Sequence, residues 1–163
     1  MDNRILRGII AGLGATFLLS ICMLIKSVAA IVPQANAVQA LTKVSTLWLG
    51  SPLAPWVGWA EHFFIGTLLW GVAFALVEPL LPGRTWMKGV VFSVGPWILM
   101  MVLLMPPAGA GFFGVYLGYG AALATLILHF IYGFTLGAAY GLLTPRAHAP
   151  HERRHAADLA PTT

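Results

Sequence analysis

The chain has 163 residues, 59% of them hydrophobic and only 9% charged, with a mean hydropathy of +0.85. Soluble domains carry about a quarter charged residues, so this composition excludes one and marks an integral membrane protein. The net charge of +4 does not call for a nucleic-acid partner, because the basic residues cluster at segment ends where bilayer topology accounts for them.

Arg4 and Arg7 precede a charge-free run that lasts until Lys26, which predicts a first membrane span over about residues 8–26. A cleaved signal peptide is the rival reading, since Ala35-Asn36-Ala37 has the form of a cleavage site. Lys26 and Pro33 set that site too far from the apolar run, and the repeat described below favours a retained helix. Cys22, the single cysteine, excludes an intramolecular disulfide and reads as a small apolar residue on this helix. Residues 34–50 are neither apolar enough to span nor polar enough to float free. Val38, Leu41, Val44 and Leu47 recur every three residues there, predicting a short interfacial helix, and Trp48, Trp56 and Trp59 mark a headgroup belt.

Pro55 suits the first turn of a second span, 55–78, which Glu78-Pro79 halts. After a turn at residues 81–85, a third span covers 88–105 and ends at Pro106-Pro107 and a glycine-rich stretch. The fourth span, 117–143, stops at Thr144-Pro145, and residues 146–163 have the composition of a disordered tail. Arg4, Arg7, Arg84, Lys88, Arg146, Arg153 and Arg154 fall on one side and only Lys26 and Lys43 on the other, so both termini are expected in the cytoplasm.

An internal repeat organises these spans. Residues 7–14 (RGIIAGLG) align without gaps with 88–95 (KGVVFSVG), and EHFFIG at 61–66 returns as LHFIYG at 128–133. The halves read as one helical hairpin written twice, parallel because spans one and three enter from the same side. The predicted fold is all-α: an up-down four-helix membrane bundle built from two parallel hairpin repeats. Gly8, Gly12, Gly14, Gly89, Gly95, Gly133, Gly137 and Gly141 are the expected packing positions, with self-association through span four as the rival use of its glycines.

The repeat places His62 and His129 at one depth, about 22 to 24 Å from the cytoplasmic ends at 1.5 Å per residue. Ionisable groups inside a membrane are costly and face the interior or a cavity, which makes this pair the leading candidate site. Three roles compete. In the simplest, neutral imidazoles hydrogen-bond across the bundle and hold spans two and four in register. A b-type haem held between the two imidazoles is the second role. A soft-metal site, copper above all, or a proton site formed by His62, His129, Met101, Met105 and Cys22 is the third. Glu61 points away from His62 toward water or Lys43, Glu78 sits at the inner interface, and no catalytic motif is present, so enzymatic chemistry is not expected.

The opening MDNRILRGIIAG (1–12), HFFIG (62–66), MPPAGAGFFG (105–114) and YGFTLGAAYG (132–141) resemble a group of small bacterial inner-membrane proteins classed as a domain of unknown function. The resemblance covers nearly the whole chain except the tail. It implies a four-span bacterial inner-membrane protein and brings no activity with it. The expected role is therefore non-catalytic, acting by self-association or as an accessory partner of a membrane complex through the periplasmic interfacial segment, without cofactor. A haem- or copper-binding redox protein is the alternative, and a small transporter is a third class, weakened by the lack of an interrupted helix.

Overall fold

A computed structural model describes residues 3–145; the expected disordered tail, 146–163, lies outside them. Helix α1 (Arg4–Val28) is followed by α2 (Ala37–Leu49), which Asn36 caps by accepting the Gln39 N–H at 3.1 Å and Gly50 ends with φ 68°. The second span, Pro55–Leu80, joins α3 (Pro55–Phe64), a π-turn at Ile65–Leu69, α4 (Trp70–Val77) and a 3-10 turn at Glu78–Leu80. The third joins α5 (Thr85–Leu99) to a π-turn at Met100–Leu104, and the fourth is α6 (Tyr119–Leu143). All four spans are long and apolar enough to cross a membrane, and no strand occurs among the described residues.

Close approaches fix the directions of the spans. Along α1, Gly8, Gly12 and Ser20 meet Gly71, Gly66 and His62 in turn, so spans one and two are antiparallel. Thr85, Gly89, Ser93 and Trp97 likewise meet Gly141, Gly137, Gly133 and Thr125, which makes spans three and four antiparallel. The repeat is visible in these contacts: Gly12 packs on Gly66 as Ser93 packs on Gly133, and both partners correspond in the sequence alignment. Spans one and four form the centre, burying Ala11, Ala15, Leu136 and Tyr140, while spans two and three pack on its flanks. Water supplies no hydrophobic drive between helices in lipid, so this backbone proximity and its dispersion contacts hold the bundle.

Two expected packing positions are corrected. Gly14 and Gly95 are exposed, and a Cβ added at either meets nothing within 4 Å. Each lies on the outward side of its helix, two residues from the packing stripe, where the 3.6-residue period turns it away from the neighbour. The remaining six glycines all face another segment.

Spans two and three meet mainly at the end of the bundle that carries Glu78 and Lys88. There Phe74, fully buried, stacks edge-on against Phe92 at 5.3 Å and Tyr140 at 5.4 Å, and Lys88 Nζ bonds Glu78 Oε1 at 2.7 Å. Their opposite halves diverge. Pro96 removes one backbone donor inside α5, and the ladder beyond it widens until Met105 N–H reaches Met100 O at 3.0 Å. A second π-turn, closed by Trp70 N–H on Ile65 O, faces it from span two. Each of these spans thus carries a π-turn while running as one helix from end to end.

The outer connections are tied to the bundle. Lys26 Nζ donates to the carbonyls of Ile31, Val32 and Ala35 at 3.2, 2.9 and 2.9 Å, folding the first loop back over the end of α1. Helix α2 docks on α3, where Gly58 faces Thr42, and Lys43 reaches the Ala108 carbonyl at 2.7 Å. Lys43 therefore serves the third connection, and Glu61 takes its hydrogen bond from Ser45 instead. In the expected stripe Val38 is buried but Leu47 is exposed, because the docked face of α2 ends before its last turn. Trp48 and Trp56 are exposed as a headgroup belt requires, whereas Trp59 turns to stack edge-on against His62 at 6.0 Å.

Candidate functional site

The divergence of spans two and three leaves a cavity of about 320 Å³ in the half of the bundle away from Glu78 and Lys88. Its far wall carries Thr16 and Leu19 of α1 and Thr125 and Tyr132 of α6, and Ala35, Ala37 and Leu41 roof it. The two π-turns supply its sides through Ile65, Gly66 and Leu69 and through Met100, Leu103 and Leu104. At the mouth Leu69, Leu99 and Leu103 are 52%, 43% and 64% exposed, so in a bilayer the cavity opens sideways toward lipid. His62 and His129 both line it.

The hydrogen-bond partners favour one proton position on each imidazole. Ser20 Oγ donates to the Thr16 carbonyl at 2.8 Å, so toward His62 it offers only lone pairs, and His62 Nε2–H donates to it at 3.2 Å. His129 Nδ1 lies 2.8 Å from the Thr125 carbonyl, which accepts only, so Nδ1 carries the proton there. The remaining nitrogens, His62 Nδ1 and His129 Nε2, are bare acceptors without a hydrogen-bond partner among the described residues. Neither is sealed inside protein; sealed side-chain oxygens without a partner include Glu61 Oε2 and Thr67 Oγ1. Two histidines, each with one nitrogen unmet by any described residue, thus line a cavity that is otherwise almost wholly apolar.

This geometry corrects the cross-bundle reading of the histidines. His62 ties span two to span one through Ser20, and His129 bonds its own helix four residues back. The link between spans two and four is Tyr132, whose hydroxyl donates to the Gly66 carbonyl at 2.6 Å. A buried tyrosine must find an acceptor, and Gly66 provides one because a π-turn leaves its carbonyl outside the regular ladder. Tyr132 was legible in the sequence only as part of the glycine motif.

The metal set is divided. Met101 and Met105 are buried with Ala40 and Ala110 in a separate cluster beside α2, because the π-turn rotates them away from the cavity; Met23 and Met100 line it instead. Cys22 is half-buried and does not line it. Among the described residues no group of three or more His, Cys, Asp or Glu side chains converges on a metal-sized site. His129, with Nδ1–H on a carbonyl and Nε2 bare, has the arrangement of a metal or haem ligand. His62 has the reverse: Nε2 is committed to Ser20, and Nδ1 adjoins the ring carbon bearing the side-chain stem, which crowds the face of a porphyrin. The pair fits haem poorly.

Residues 2–151 match the family of unknown function (DUF6789). The chain belongs to that family. No curated protein and no solved structure matches it. Membership agrees with the resemblance read from the motifs, and the match takes in all four spans and every cavity residue named here.

Proposed function

We propose that this family member is a non-catalytic membrane protein that receives a lipid-soluble small molecule in its outer cavity, without haem or metal. The observation that carries the reading is the position of His62 and His129 on the wall of a cavity whose mouth faces lipid. At about 320 Å³ the space lies at the lower end of the range for small-molecule sites, about 300–1,000 Å³, and far exceeds a lone ion. Paired π-turns beside it are in keeping with a binding site, where such irregularities concentrate.

The protein sits in a bacterial inner membrane with both termini cytoplasmic. Support comes from Arg4, Arg7, Arg84 and Lys88 at one end of the bundle against Lys26 and Lys43 at the other. A second reading, association with a copy of itself or with a membrane complex, draws on Leu47, Trp48 and Leu49, which are exposed at the end of α2.

The binding reading is tested by extracting the lipophilic molecules that co-purify with the protein and identifying them by mass spectrometry. A species enriched with the native chain should be lost from the Leu69→Trp/Leu103→Trp variant, which blocks the mouth at positions exposed enough to accept the larger ring. Identical profiles for the two proteins overturn the reading.

A further inference from the structure

We infer that the cavity's ligand is an amphiphile with an apolar body and a head that presents two hydroxyl donors, such as a dihydroxy aromatic lipid. The inference rests on the binding reading above and specifies its ligand. It follows from the protonation of the two imidazoles. With Nε2–H of His62 on Ser20 and Nδ1–H of His129 on Thr125, each of these cavity-lining histidines keeps one lone-pair nitrogen that no described residue meets. As neutral rings, neither can donate from its free nitrogen without giving up the bond that orients it.

An acceptor in an apolar, low-dielectric cavity costs free energy until a donor meets it. The nearby hydroxyls do not supply one. Thr16 donates to Gly12 O, Ser20 to Thr16 O, Thr125 to the carbonyls of Ala121 and Ala122, and Tyr132 to Gly66 O. These four hydroxyl protons are therefore held by backbone carbonyls, and the donors come from the ligand. A carbonyl, ether or anionic head would face two lone pairs. A cation small enough to sit between two imidazoles would leave most of the cavity unfilled. The apolar body is set by the walls and by the mouth at Leu69, Leu99 and Leu103, through which a molecule dissolved in the bilayer enters without crossing water.

The test uses 4-hexylresorcinol, its monomethyl ethers and its dimethyl ether, with equilibrium binding measured on the full chain in lipid nanodiscs and empty nanodiscs subtracted. Losing a hydrogen bond to a desolvated acceptor costs about tenfold in affinity, so a monomethyl ether should bind about tenfold and the dimethyl ether about a hundredfold more weakly than the diol. His62→Phe and His129→Phe should each remove one of the two steps. If diol and dimethyl ether bind the native protein within twofold of each other, the ligand class is wrong while the cavity reading stands. If none of the probes binds, both fall. The comparison among probes on the native chain needs no variant, so it holds even where a histidine substitution disturbs folding.

Discussion

Gly89→Ala is the sharpest test of the helix packing. A Cβ at Gly89 meets the backbone of the fourth span: the Gly137 nitrogen at 2.8 Å, the Gly137 Cα at 2.9 Å and, closer still, the Gly133 carbonyl. Ordinary Cβ contacts begin near 3.4 Å, and backbone cannot swing aside as a side chain can. Spans three and four must separate, forfeiting dispersion along the interface that lipid does not replace. Overpacking of this kind costs about 3 kcal/mol at the upper end of its range. Alanine returns about 1 kcal/mol of helix propensity relative to glycine. The net loss is then about 2 kcal/mol. Gly95→Ala, six residues on and facing open space, collects only the propensity gain and should stabilise by up to about 1 kcal/mol. Reversible unfolding in mixed micelles by denaturing detergent, followed by circular dichroism, reads both. Equal stability of the two variants would refute the packing of spans three and four described here.

Three further outcomes are expected. Tyr132→Phe removes a hydrogen bond between spans two and four and should cost about 0.6 to 1.7 kcal/mol, read in the same unfolding assay; an unchanged midpoint contradicts the Gly66 contact. Glu78→Gln leaves Lys88 without its charged partner at a site where both side chains are 15% exposed, and should cost about 1.5–3 kcal/mol, whereas Glu78→Gln/Lys88→Met should cost less than the sum of the single changes. Nitrogen-15 spectra of histidine-labelled protein should show His62 protonated at Nε2 and His129 at Nδ1; the opposite form at either residue removes the basis for the two-donor ligand.

Much of the architecture was legible in the sequence because membrane insertion imposes a one-dimensional rule. A bilayer demands runs of apolar residues of set length with internally satisfied backbones, and the spans follow from where charges, prolines and glycines interrupt hydropathy. The hairpin repeat was equally legible, and the pairing of Gly12 with Gly66 and Ser93 with Gly133 follows its alignment. So was the shared depth of His62 and His129, which depends only on counting residues along helices.

Tertiary structure alone decided what those residues meet. Hydropathy cannot distinguish a helix face packed on protein from one facing lipid, since both are apolar, and Gly14 and Gly95 looked the same as Gly12 and Gly89 for that reason. Nor does composition announce a π-turn. The two at Ile65–Leu69 and Met100–Leu104 shift the register by one residue, carrying Met101 and Met105 away from the histidines and opening the cavity between spans two and three. The proton positions on His62 and His129 were also beyond the sequence, because a tautomer is chosen by the partner that reaches the ring. Sequence determined that this chain crosses a membrane as two related hairpins with a histidine in each; the packing of those hairpins decided that both histidines line one cavity.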